Sequence, residues 1–303
     1  MCVWLLIVSE LRAESPPATP VLIWGTRTFG LAQGTGVVLD TDARWVLTCW
    51  HVLAYTTHID VLLPQCENGA RVTDPTPYAE RRKAGQALRG TLVAHDPSRD
   101  LALLEVPSLP TDAVPVQWAR APKPGDKLTV VGNPITHNRL WWETTGTLRA
   151  EAWEQFRLPP EQEVATHFVA FQTPQPVPIG CSGGPVFDDR QQLVGIVSAN
   201  AHREPPQTLV VAPAEVRCFV ARAYVERGFA ALRTPNLSDA ARWAERAERA
   251  DPMTAAPLCA RVALGQGQWA HARRQFTRAV QTQPAALGDW VGLALASLNE
   301  RRP

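Results

Sequence analysis

The sequence predicts a mainly β protein that ends in a small all-α region. Two observations carry that expectation. Up to about residue 215 the chain runs in short β-branched and aromatic segments broken by Gly, Pro and Asp; beyond it the strands stop and Ala, Arg, Glu and Leu take over. Many short strands with turn residues between them describe a barrel or a sandwich, and the Ala-rich text is helix-forming. A chain of 303 residues can form one large domain or two smaller ones and bury a proper core in either case.

In chain order the strand segments are VLIWG (21–25), TGVVLD (35–40), RWVLTCW (44–50), HIDVLLP (58–64), TLVAHD (91–96), LALLEV (101–106), KLTVVG (127–132), THFVAFQ (166–172), LVGIVSA (193–199) and TLVVA (208–212). Val, Ile, Thr and aromatic side chains suit a pleated, half-buried surface. The polar stretch CENGARVTDPTPYAERRKAGQA (66–87) lies between two strands and reads as an exposed insertion loop. We place the β domain at 20–220 and the helical region at 221–303. Within the latter, Ala240, Ala244, Ala247 and Pro252 recur as Ala272, Phe276, Ala279 and Pro284, each displaced by 32 residues (272−240, 276−244, 279−247, 284−252). With the small-x-aromatic turn Gly267-Gln268-Trp269-Ala270-His271-Ala272, this region resembles tetratricopeptide repeats, although the period is slightly short; an Ala-rich helical bundle is the plain alternative.

Composition excludes several classes. Lys+Arg 30 against Asp+Glu 29 leaves a formal charge of +1, so nothing points to nucleic acid or an anionic membrane. Six scattered cysteines form no CxxC and no ligand-like Cys/His cluster, so no metal, no cofactor and no dense disulfide framework is expected. The opening MCVWLLIVSELRAES is too short to span a bilayer; a buried first element and a weak export signal both fit it, which leaves a cytoplasmic and an exported protein equally open.

Gly180-Cys181-Ser182-Gly183-Gly184-Pro185 presents a serine inside a glycine-rich turn. By itself it suits a nucleophile or an ordinary turn. A nucleophilic serine needs a base and a group that orients the base. Of seven histidines, His58, His95, His137, His167, His202 and His271 sit in polar or loop-like text, whereas His51 closes the β-run Val46–His51, so a strand would deliver its imidazole to a rigid end. Asp100 heads the apolar run Leu101–Val106, where a carboxylate is costly to bury without a strong donor such as an imidazole N–H. Asp96, in HDPSRD, is the competing acid and reads as exposed; a turn role for Asp100 is its own alternative.

The chain order His51, Asp100, Ser182 is that of the chymotrypsin arrangement. With GTGVVLD, VLTCWHVL, DLALLEV, VVGNP, TTGTL, GCSGGPVF and LVGIVSA in register, residues 20 to 220 resemble the trypsin/chymotrypsin-like serine peptidases, closest to their HtrA-like branch. The resemblance implies two six-stranded β-barrels side by side, with His51 and Asp100 from the first and Ser182 from the second. It further implies a serine endopeptidase acting on a protein or peptide through an acyl-enzyme, an oxyanion hole from the N–H groups of Gly180 and Ser182, and Ile179, Ser198 and Asn200 at the substrate cleft, Ser198 also supporting the aspartate. Pro176-Val177-Pro178-Ile179 offers no carboxylate for Lys or Arg, so a small or medium apolar P1 residue is expected.

Three departures from the family pattern stand out. Cys181 replaces the aspartate that pairs with a newly cut N-terminus in secreted trypsin-type enzymes; Val52 replaces the cysteine after the histidine; and helical repeats stand where HtrA proteins usually carry a PDZ module. The resemblance thus implies a peptidase whose tail recognises a partner or substrate. The competing expectation is a silent peptidase-like adaptor that binds proteins through its repeats.

Overall fold

The computed structural model describes residues 18–28, 30–159, 161–201, 207–234 and 236–300. The opening apolar run and His202 lie outside the described residues. Among the described residues no helix is long and apolar enough to cross a membrane.

The first sheet is built from β1 (Pro20–Arg27), β2 (Gly30–Asp40), β3 (Trp45–Thr48), β4 (Thr56–Leu62), β7 (Leu88–Arg89), β8 (Thr91–Asp96) and β9 (Leu101–Glu105), in the order β7-β4-β1-β2-β3-β9-β8. Its two edge strands are one run of chain interrupted at Gly90, whose N–H bonds to Ile59 O. The sheet therefore curls until its edges meet within a single segment, which is why the expected six-stranded barrel is found as seven shorter strands. The second sheet is a closed six-stranded barrel, β10 (Lys127–Gly132), β11 (Trp142–Leu158), β12 (Gln162–Gln172), β15 (Gln207–Val211), β14 (Leu193–Ala201) and β13 (Pro185–Phe187) in ring order. Closure removes the exposed edges of an open sheet.

Three local expectations are corrected. His51 does not end a strand: β3 stops at Thr48, and His51 lies in the one-turn helix α1 (Trp50–Leu53). The turn forms because backbone atoms of Trp50 and His51 bond to Asp100 instead of continuing the ladder: Trp50 N–H to its carbonyl, His51 N–H to its carboxylate. The 66–87 stretch is not a bare loop; it carries the hairpin β5 (Cys66–Glu67) and β6 (Ala70–Arg71) and the helix α2 (Thr76–Lys83), anchored by the fully buried Tyr78. Asp96 is not exposed either: its carboxylate is drawn onto Arg99 at 2.6 Å with a side-chain exposure of 18%.

Five helices follow: α3 (Pro213–Arg233), α4 (Leu237–Ala250), α5 (Pro252–Gly265), α6 (Trp269–Thr282) and α7 (Leu287–Glu300). Helix α3 runs across residue 220 and docks on the first barrel. There Trp45 of β3 stacks on Tyr224 with ring centroids 4.7 Å apart and on Trp243 of α4 at 5.6 Å. Asp40 receives the Tyr224 hydroxyl (2.9 Å) and the Arg246 guanidinium (2.8 Å). Consecutive helices of α4–α7 pack on one another. The 32-residue displacement separates the starts of α4 and α6 (269−237), but Pro284 sits in the turn before α7, whereas Pro252 opens α5.

Candidate active site

Asp100 is the centre of the site. It follows the β8 turn with a positive φ of 55°, immediately before the buried strand β9, and has no solvent exposure. A carboxylate there must be compensated by donors. It has four. Oδ1 accepts from the His51 backbone N–H (2.9 Å) and Gln162 Nε2 (3.1 Å), and Oδ2 accepts from His51 Nδ1 (2.7 Å) and Ser198 Oγ (2.6 Å). Burial by itself pushes the carboxyl up, but the His51 charge and the bonds from His51 and Ser198 outweigh it and hold Asp100 below its ordinary value. An ionised carboxylate only accepts, so His51 carries its proton on Nδ1 and leaves Nε2 unprotonated when neutral.

Ser182 comes from the turn before β13. Its hydroxyl donates to Ser198 O at 3.3 Å, and among the described residues no hydrogen bond joins it to the His51 ring. The turn is bolted to the first barrel through Thr35 of β2. Thr35 N–H donates to Ser182 O (2.8 Å), its hydroxyl donates to Gly180 O (2.9 Å) and accepts from Asn133 N–H (2.9 Å), and its carbonyl accepts from Thr48 Oγ1 (2.7 Å). Gly180 and Gly183 both have positive φ, +99° and +82°. A Cβ on Gly180 would strike Asn133 O of its own barrel, and one on Gly183 would strike Thr35 O and Thr48 Oγ1 of the first barrel, so neither position has room for another residue. Among the described residues the N–H groups of Gly180 and Ser182 donate to no protein acceptor, whereas Cys181 N–H between them bonds to Pro178 O.

Around this centre, Ile179 is 71% exposed beside the turn. Ser198 is buried under Asp100. Asn200 bridges from β14 to the segment before Ser182: its Nδ2 donates to Val177 O (2.8 Å) and its Oδ1 accepts from the Thr208 hydroxyl (2.9 Å). The remaining described histidines do not join the site. His58 pairs with Asp60 at 2.6 Å on β4, and His95 stacks on Trp50.

Sequence reasoning missed three contributors. Gln162 reaches Asp100 from the far end of the β11–β12 hairpin, which leaves the second barrel and lies along the first; Ala165 N–H bonds to Ser98 O there (2.9 Å). Arg99, next to Asp100, is clamped by Asp96 and by Glu215 at the start of α3, both at 2.6 Å. Cys49 is fully buried, donates to Val197 O at 3.1 Å, and has its thiol pushed well up by burial and then by the Asp100 charge. Its sulfur lies within 4.8 Å of the His51 and Asp100 ligand atoms. These are metal-ligand types, but Asp100 and His51 are already engaged with each other. Only Arg99 had a sequence signal, its place in HDPSRD; a lone Gln in polar text and a lone Cys in a strand carry none.

Residues 34–196 match the family model described as a trypsin-like peptidase domain. Among curated proteins the chain is similar to the Serine protease Do-like HtrA of Lactococcus lactis subsp. cremoris, 27% identical over 172 residues that make up 55% of this chain and 37% of that protein. It is also similar to Serine protease Rv3671c of Mycobacterium tuberculosis, 28% identical over 212 residues, 68% of this chain and 46% of that protein. The chain thus spans less than half the length of these curated relatives. Among solved structures, the active form of the Rv3671c protease gives a TM-score of 0.53 at 25% identity, covering 68% of this chain and 80% of that chain. The HtrA-type protease AlgW with tripeptide gives 0.51 at 20% identity, covering 71% and 62%. The architecture is accordingly the chymotrypsin-like β-barrel protease fold, here followed by helices.

Proposed function

The chain belongs to the trypsin-like peptidase domain family, and from that premise we propose that it is a serine endopeptidase in which Ser182 is the nucleophile, His51 the general base and Asp100 the residue that orients the base. The observation that carries this reading is the saturated shell of Asp100: a fully buried carboxylate held between His51 Nδ1, His51 N–H, Ser198 and Gln162. Such an arrangement fixes one imidazole tautomer and stabilises the ring when it takes a proton. In the reactive state the Ser182 hydroxyl turns from Ser198 O to His51 and attacks the carbonyl carbon of a bound peptide. The proton passes to His51 and then to the leaving amine, and the N–H groups of Gly180 and Ser182 receive the tetrahedral oxygen. Water, activated by the same imidazole, then cleaves the acyl-enzyme.

Ile179 and Asn200 line the P1 side in this reading. The Asn200 bridge occupies the space between β14 and the Val177 segment, which supports a small or medium apolar P1 residue. Helices α4–α7 read as tetratricopeptide-like repeats that hold a partner or substrate. The barrels, 20–220, carry the chemistry.

The test is labelling with a serine-directed fluorophosphonate, alongside peptide and ester hydrolysis, for the intact chain and for Ser182→Ala and His51→Ala. We expect labelling by the intact chain only, and a loss of several powers of ten in rate for either variant. Unchanged turnover by Ser182→Ala removes the reading, and absence of labelling under all conditions favours a silent adaptor.

A further inference from the structure

Asp100 stands at the end of a turn that the first barrel does not hold alone. Its φ of 55° is a left-handed conformation that a residue with a Cβ rarely adopts, so the turn keeps this form only where its surroundings impose it. Part of the restraint is local: the Asp96 carboxylate accepts from Ser98 Oγ (2.6 Å) and from Arg99 N–H (3.1 Å). The rest comes from elsewhere in the chain. Pro97 O accepts from Gln162 Nε2 (2.9 Å), and Ser98 O accepts from Ala165 N–H (2.9 Å), both on the β11–β12 hairpin. Arg99, the residue that leads into Asp100, is taken by Glu215 of α3, its Nε donating to Oε2 at 2.6 Å. Three successive residues of the turn are thus each held by an element outside the first barrel.

Glu215 is built to be a fixed point. It lies in the first turn of α3, where its N–H bonds to Ala212 O (3.0 Å), and Ala212 N–H bonds in turn to His167 O of β12 (3.0 Å). The later turns of α3 pack against α4 and α5. Arg99 and Glu215 have side-chain exposures of 22% and 20%, so the pair is shielded from the water and salt that make exposed ion pairs weak. The guanidinium is also held at a second nitrogen, Nη1, by Asp96 at 2.6 Å. A planar group fixed at two nitrogens by two carboxylates has little freedom left.

We propose that Glu215 is a positioning residue: through Arg99 it holds the 96–100 turn in the form that keeps the Asp100 carboxylate on His51 Nδ1, so the first helix after the barrels takes part in setting the rate. The inference rests on the roles proposed above for His51 and Asp100, and Glu215 itself touches no reacting atom. Without it Arg99 is tethered to Asp96 alone, the turn relaxes, and the imidazole tautomer is less firmly fixed. Ile179 and Asn200 belong to other elements, so the loss falls on kcat and not on KM.

The test compares the full chain with Glu215→Ala, Glu215→Gln and Arg99→Ala, each assayed well below its melt. We expect Glu215→Ala to lower kcat on an ester substrate about ten- to a hundredfold, with KM close to the parent value. Glu215→Gln keeps an oxygen for Arg99 Nε and should recover most of that loss. In an Arg99→Ala background, Glu215→Ala should add nothing further. A kcat for Glu215→Ala within about twofold of the parent, a loss confined to KM, or full additivity with Arg99→Ala overturns the proposal. A second readout needs no turnover. The His51 Nδ1 proton, donated to Asp100 at 2.7 Å, should give a resolved far-downfield NMR signal in the parent, and exchange with water should broaden or remove it in Glu215→Ala. A signal that Glu215→Ala leaves unchanged, or that the parent lacks, sinks the clamp. A parent that refuses fluorophosphonate yet shows the expected change of signal removes the peptidase reading and supports the clamp.

Discussion

Gln162 of the second barrel's hairpin donates its amide to Oδ1 of Asp100 in the first, 3.1 Å away, and the same nitrogen reaches Pro97 O at 2.9 Å. A side chain from one barrel thus helps fix the acid supplied by the other. A hydrogen bond to a charged group is worth about 1.5–3 kcal/mol, so Gln162→Ala should lower kcat by about ten- to a hundredfold while KM stays close to the parent value. Gln162→Glu should be worse, because it sets a second carboxylate against Asp100. Steady-state kinetics on one ester substrate checks both.

The depressed Asp100 carboxyl has a consequence for stability. Its folded value lies below its unfolded one, so its contribution is fully present above the ordinary carboxylate range and is lost as pH falls through the folded value. Asp96, lowered despite burial by Ser98 and Arg99, acts in the same sense. The melting temperature should therefore fall as pH drops below about 4, and Asp100→Asn should flatten that fall. A thermal-melt series against pH decides it, and an equally steep acid limb in the variant would assign the loss to other groups.

Buried strand segments were legible because burial imposes β-branched and apolar text; β9, with Leu101–Leu104 all buried and so covered on both faces, is the clearest case. The outer half of β11 was not legible. Residues 149–158 are largely exposed, and although Phe156 and Leu158 pack against the core, two apolar positions in RAEAWEQFRL are too few to mark a strand. Gln162 was hidden for the same reason. The placement of His51 failed differently: its helical turn depends on Asp100, 49 residues on, accepting its N–H, and local text cannot register such a partner. The motif residues around Ser182 were readable because positive φ and close approach admit glycine alone at 180 and 183.

Gly183 tests that last point. Gly183→Ala introduces both an unfavourable φ and a contact with Thr35 O and Thr48 Oγ1, so we expect a destabilisation of at least about 2 kcal/mol. Because the Thr35 bonds to Ser182 and Gly180 would be displaced together, activity should fall even below the melt. Denaturant unfolding and residual ester hydrolysis at low temperature measure the two effects separately.

Asn200 is the most direct test of the specificity reading. Its two side-chain bonds tie β14 to Val177 and Thr208. Removing them in Asn200→Gly should enlarge the space beside Ile179 and raise the relative rate on larger apolar or aromatic P1 residues, with a few-fold loss on small ones. A peptide-library profile that does not change would place P1 selection elsewhere.

The Trp45 stack also bears on how the chain reaches this structure during synthesis. Trp45 leaves the ribosome early, yet its ring partners Tyr224 and Trp243 follow 179 and 198 residues later (224−45, 243−45). At about 5–20 residues per second, the Trp45 ring on the first barrel waits roughly ten to forty seconds for its cover. Throughout that interval the strand leading into His51 lacks its outer packing, so the newborn barrel is an aggregation hazard and an incompletely braced catalyst. A chain halted before α3 should recruit holdase chaperones that the finished protein does not.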